Sequence, residues 1–112
     1  MNNILFVCGK NKWRSPTAEQ IFATRPHIDC TSAGLSHDAE VRVSAELVEW
    51  TTLIFVMEKQ HKTKLSSQFK MQLQGKKVVC LDIPDSYQFM EPRLIKLLET
   101  KATPFLMALG SS

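Results

Sequence analysis

The chain has 112 residues, of which 44% are hydrophobic and 22% charged, with a formal net charge of +3. That is enough for one domain, residues 1–112, to bury a core without disulfides or metals. No apolar run approaches the length of a transmembrane span, and the N-terminus lacks the pattern of a signal peptide, so a cytoplasmic protein with no membrane contact is expected.

Chain order alternates strands with helices. Ile4 to Val7 (ILFV) reads as a central strand buried on both faces. Ser15 and Pro16 fit the cap and first position of a helix in which Ala18, Ile21 and Phe22 recur at helical spacing, until Pro26 ends it. His27 to Gly34 is a second strand running into a glycine turn. Ser44 caps a short helix through about Trp50, and Leu53 to Met57 is a third buried strand. Residues 58–70 form an exposed helix with Leu65 and Phe69 on one face, ended by Gly75. Lys77 to Leu81 is a fourth strand, Pro84 and Asp85 open a loop, and a last helix starts near Pro92. The order implies an α/β fold, a single domain with a four-stranded parallel sheet flanked by helices on both faces.

In such sheets ligands bind beyond the carboxyl ends of the strands, where Cys8 and Asp85 both belong. The loop from Cys8 to Ser15 (CGKNKWRS) joins a strand end to a helix start, so its backbone N–H groups can cradle an anion. Arg14 adds a planar cationic fork suited to two phosphate oxygens. The same field favours the thiolate of Cys8, and the hydroxyl of Ser15 can reach the sulfur or a loop carbonyl. A thiolate beneath a bound tetrahedral oxyanion is placed for displacement through a phospho-cysteine. Gly9 and Asn11 suit turns that need positive φ, and Lys10 and Lys12 belong at the rim. Trp13 either packs under the loop or forms a wall for an aromatic substrate.

The pattern Cys8-x-x-Asn11-x-x-Arg14-Ser15-Pro16 resembles the phosphate loop of the low-molecular-weight protein tyrosine phosphatases, including a shorter bacterial group in that superfamily. Thr17-Ala18-Glu19, Ser32-Ala33-Gly34, Phe55-Val56-Met57 and Ile83-Pro84-Asp85-Ser86-Tyr87 extend the resemblance over residues 4–90. It implies that Cys8 is the nucleophile, that Arg14 binds the phosphate, and that Asn11 and Ser15 hold loop and thiolate. Asp85 would be the general acid and then the base, with Asp82 as a fallback, and Tyr87 would shape the entrance. Gly9, Lys10, Asn11, Lys12, Trp13 and Ser15 would form the binding loop for phosphate or a similar oxyanion. The implied substrates are a phosphorylated protein or a small aryl phosphate, with no metal or organic cofactor.

Departures from the family pattern are Lys10 where glycine is usual, Ser86 in place of the proline of the acid loop, and Thr52 before the third strand. Only nine residues separate Gly34 from Ser44, which shortens the wall beside the site. An arsenate reductase on the same fold would need resolving cysteines, yet Cys30 and Cys80 read as core strand residues 50 positions apart. A phospho-cysteine carrier and a phosphate-binding module with little turnover are the other readings. The lysines at 59, 62, 64, 76 and 77 read as solvated faces, not a nucleic-acid surface. His27, His37 and His61 lack metal-ligand spacing, with His37 on a solvated loop or at the site rim. Trp50 is a core or subunit-contact residue, and Phe105 to Leu109 either completes the core or contacts a second copy in a weak homodimer. The closing Gly-Ser-Ser reads as a flexible end.

Overall fold

The four apolar runs become four strands: β1 (Asn2–Cys8), β2 (Ile28–Gly34), β3 (Leu53–Val56) and β4 (Lys77–Cys80). They pair in parallel in the order β2-β1-β3-β4, with Ile4 opposite Cys30 and Leu53, and Cys8 opposite Gly34. The computed structural model describes residues 2–110; the two terminal serines lie outside them, while Gly110 closes the last helix. Four helices complete the fold, α1 (Arg14–Phe22), α2 (Ala45–Trp50), α3 (Lys59–Gln68) and α4 (Pro92–Gly110). The α/β fold expected from the sequence is the one observed.

Alternation along β1 sends its side chains to opposite faces. Ile4, Phe6 and Cys8 join Ala18 and Phe22 of α1 and Leu94, Leu98 and Ala102 of α4 on one face. Leu5 and Val7 meet Val48 of α2 and Leu65 of α3 on the other. Because both faces are covered, Ile4 to Val7 are fully buried, as the unbroken apolar run demands. Phe6 stacks between Phe22 and Phe55, with ring centroids 5.6 and 5.3 Å away, and sets the separation of α1 from the sheet. Phe105 meets Phe55 edge to face at 6.0 Å and Leu106 is buried, so this segment completes the core; Met107 points out.

Local signals explain most helix ends. The Ser44 hydroxyl accepts from the Leu47 N–H at 3.2 Å, as a cap should. At α3 the Glu58 side chain and the His61 ring exchange bonds with each other's backbone in a capping box. The start of α1 differs from the sequence expectation. Trp13 is the boundary residue, without a side-chain cap, and Ser15 sits inside the first turn. Its hydroxyl turns instead toward Cys8, because the loop has buried sulfur and amide groups that need partners there.

The β1–β3 boundary is where the strand order reverses direction, the place such sheets leave a crevice. One close approach fixes the floor of that crevice. Gly34 was expected to make a turn; it is instead the last residue of β2, without positive φ, and it lies hard against the loop after β1. A Cβ on Gly34 would collide with the Gly9 carbonyl and stand 2.7 Å from Ala39 Cβ and 3.0 Å from the Asn11 nitrogen. Gly34→Ala is therefore expected to lower stability by about 1–3 kcal/mol in urea unfolding. An unchanged unfolding midpoint would show that the loop moves aside without cost.

Candidate active site

Loop residues 8–14 bend sharply after β1, and the residue that takes the left-handed conformation is Asn11, at φ 58°. Gly9 does not adopt positive φ, contrary to expectation, so the turn is carried by the asparagine, whose side chain is also tied down. Its amide donates to the Ser15 hydroxyl and to the Ser32 hydroxyl, each at 3.0 Å, while its backbone N–H donates to Cys8 Sγ at 3.2 Å. Ser15 Oγ lies 2.9 Å from the same sulfur, and Ser32 donates to Glu19 at 2.6 Å. Cys8, Asn11, Ser15 and Ser32 are all buried. The sulfur is thus held from behind by a chain of hydrogen bonds that reaches across to β2 and α1.

Arg14 is also buried, and its Nη1 donates to Glu58 at 2.7 Å and to the Ile83 carbonyl at 2.8 Å. Glu58 follows β3 and Ile83 follows β4, so one guanidinium joins three strand ends. Asp85 lies 3.8 Å from Arg14 Nε. Around this group opens a cavity of ≈ 270 Å³ lined by Cys8, Gly9, Lys10, Lys12, Trp13 and Arg14 from the loop, with Ser36, Glu58, Gln60, His61 and Asp85 beyond it. Lys10 reaches Asp38 at 3.7 Å on the surface. There the hydroxyl of Ser36 and the two lysines hold the Asp38 carboxyl below its usual range.

The sequence-derived residues fall into three groups. Cys8, Gly9, Lys10, Lys12, Trp13, Arg14 and Asp85 share the cavity, and Asn11 and Ser15 support it from beneath. Trp13 is 43% exposed, which makes it a wall and not packing under the loop. Tyr87 is a correction: it is half-buried against the core on the α1 and α4 face and does not line the entrance. Asp82, the fallback acid, sits outside the cavity with its carboxylate 3.6 Å from the Cys80 sulfur. His37 is exposed and lines no part of the cavity.

Glu58 and His61 were not singled out as site residues. The third apolar run ends at Met57, just past β3, so the strand-end rule that located Cys8 and Asp85 would have found Glu58 as well. His61 carries no such signal in isolation, because the capping box that turns it inward is visible only once α3 is placed. Its Nδ1 accepts from the Glu58 N–H at 3.1 Å, and burial together with Arg14 lowers its pKa from 6.5. No group of three or more histidine, cysteine or acidic residues among the described residues could hold a metal ion.

Comparison with known proteins agrees with this geometry. Residues 3–49, covering β1 to α2, match the model of the low molecular weight phosphotyrosine protein phosphatase family. The tyrosine phosphatase Wzb from Escherichia coli K30, solved with phosphate, is similar at 23% identity, covering 96% of this chain and 98% of its own, with a TM-score of 0.76. The low molecular weight protein tyrosine phosphatase from T. tengcongensis gives 19% identity over 100% of both chains, with a TM-score of 0.74. The YwlE arginine phosphatase from Geobacillus stearothermophilus gives 20% identity, 96% and 95% coverage, and a TM-score of 0.72. No curated protein matches in sequence. The family match covers the loop whose motif carries the resemblance, and the fold is that of these phosphatases.

His61 gives this site a pH signature. Its pKa in the folded chain lies below the ordinary 6.5, so the unfolded chain binds the proton more readily. The stabilisation from keeping the ring neutral is complete above that ordinary value and is lost as pH falls through it toward the folded pKa. Unfolding free energy should therefore drop more between pH 7.5 and 5.5 in the wild type than in His61→Gln. Parallel pH profiles for the two proteins would contradict the assignment.

Proposed function

We propose that the chain is a phosphomonoester hydrolase acting on phosphotyrosine or small aryl phosphates through a phospho-cysteine. One observation carries this reading: Cys8, held by the Asn11 N–H and the Ser15 hydroxyl, opens into one cavity with the Arg14 guanidinium and the Asp85 carboxyl. The family match over the loop supports it.

In this reading the phosphoryl group lies over Cys8, its oxygens facing the loop N–H groups and the donors of Arg14 other than Nη1. The Cys8 thiolate attacks phosphorus as the bond to the leaving oxygen breaks, and Asp85 gives that oxygen its proton. The aryl group departs as a neutral phenol along the Trp13 wall. Water then attacks the phospho-cysteine, Asp85 takes a proton from it, and orthophosphate and the thiolate are released. Lys10 and Lys12 attract the anionic substrate from the rim. Asp85, not Asp82, fits the acid role, since only Asp85 shares the cavity with Cys8 and Arg14.

The positions of the cysteines argue against arsenate reduction. Cys30 is on β2 and Cys80 on β4, the two opposite edges of the sheet. Three strand spacings of about 4.8 Å separate those edges, well beyond disulfide reach. Cys30 is also a poor resolving thiol, since burial and the carboxylates of Glu19 and Asp29 push its pKa up to about 11. An acid within the cavity favours hydrolysis over a stable phospho-cysteine carrier.

Cys8→Ser is expected to abolish turnover of phenyl phosphate. Asp85→Asn should lower kcat by about 10²–10⁴, with the loss shrinking for leaving groups that need no proton, such as nitrophenolate. Turnover that survives Cys8→Ser would overturn the reading.

A further inference from the structure

The phosphate cavity does not end at Gly9. A second cavity of ≈ 230 Å³ adjoins it and shares Gly9, Ser36, Gln60 and His61 with it, adding Leu35 and Lys64. None of its lining residues is acidic. Leu35, 6% exposed, supplies an apolar floor, whereas the rest of the lining offers N–H and ammonium donors.

His61 is the feature that gives the cavity a direction. The ring is 7% exposed, and its Nδ1 is occupied as acceptor of the Glu58 N–H. In the neutral ring the proton therefore sits on Nε2. Among the described residues that atom has no hydrogen-bond partner: the Glu58 carboxylate is 3.7 Å away and already bound to Arg14. A position 3.9 Å from Nε2 is where a Cβ on Gly9 would stand, so the ring edge faces the wall between the two cavities. Since no buried side-chain nitrogen among the described residues is left without a partner, Nε2 reaches the solvent of the cavity, and its N–H is available to an acceptor there beside a lysine.

Other charges around the group do not supply it. Asp38, near Ser36, is engaged by the Ser36 hydroxyl and by Lys10, and lines neither cavity. Lys64, one turn after His61 on α3, is exposed and without an ion pair among the described residues. Its neighbours Lys59 and Lys62 add positive charge along the same helix.

We infer that the side cavity is a subsite for a carboxylate next to the phosphoester, so that the preferred substrate is a phosphotyrosine peptide with an acidic residue adjacent to the phosphotyrosine. This rests on the hydrolase reading above and names its substrate class. The carboxylate would accept from His61 Nε2 and from the Gln60 N–H that is not given to Glu58, and face the Lys64 ammonium.

The test compares peptides in which the residue flanking phosphotyrosine, on either side, is Glu or Gln. The wild type should show kcat/KM about fivefold or more higher for a Glu peptide, the scale of a charge-assisted contact near the surface. That ratio should fall toward one in Lys64→Gln and invert in Lys64→Glu, and it should shrink with added salt. Equal values for the two peptides in the wild type, or a preference unmoved by Lys64→Glu, would overturn the subsite. Turnover of phenyl phosphate reports separately on the hydrolase reading. Should no ester be turned over, that reading fails, and the ratio of the two peptides' Kd values, with the same two variants, still decides the subsite.

Discussion

The guanidinium of Arg14 is the constraint on which the site is built. A charge held at 4% exposure is costly unless its donors are matched, and Nη1 is matched twice, by Glu58 and by the Ile83 carbonyl. Those partners stand at the ends of β3 and β4, while Arg14 opens α1 directly after β1. The single pair therefore sets the positions of three loops relative to one another. Glu58 is about one-third exposed, so its worth to stability is moderated by water, and its larger effect is geometric. Holding one end of the fork leaves its orientation defined before any anion arrives, which lowers the cost of ordering it on binding.

A second layer of order lies beneath the loop. Cys8, Ser15, Asn11, Ser32 and Glu19 form a continuous set of hydrogen bonds running from the sulfur to α1 and β2. Such a network is worth having only when complete, and no buried side-chain nitrogen or oxygen among the described residues lacks a partner or some contact with solvent. It also explains the absence of a cap at α1. The serine that would serve as one is used for the sulfur, and Thr17 donates its hydroxyl to the Trp13 carbonyl in the first turn. Local helix preference yields here to the needs of the site, which is where departures from local rules are expected.

The legible parts of the sequence were those with one-dimensional signatures. Unbroken apolar runs marked β1 and β3 because both sheet faces are covered, and Ser44 and Pro92 marked helix starts by their own backbone chemistry. The parallel sheet, and hence the placing of Cys8 and Asp85 at its carboxyl edge, followed from alternation. What could not be read depends on distances between segments far apart in the chain. Gly34 is required by the approach of the Gly9 carbonyl, which nothing adjacent to Gly34 reveals. Tyr87 looked like a residue of the entrance through its place in a motif, yet the loop turns its ring into the core. Glu58 and His61 gain their roles through Arg14, 44 residues upstream of the carboxylate that holds it.

The three cysteines show how far environment, and not residue type, decides the chemistry. Cys30 borders the core beside two carboxylates, which together with burial keep it protonated far past neutral pH. Cys80 lies half-buried at the opposite edge, its sulfur turned toward Asp82. Cys8 is the most buried of the three, at 3% exposure, but what it faces is a backbone N–H, a hydroxyl and the cavity that Arg14 completes. The same reasoning applies to His61, whose one ring nitrogen is occupied and whose other is left for a ligand. Donors that the folded chain has gathered but not used are the most direct record of what the site is built to receive.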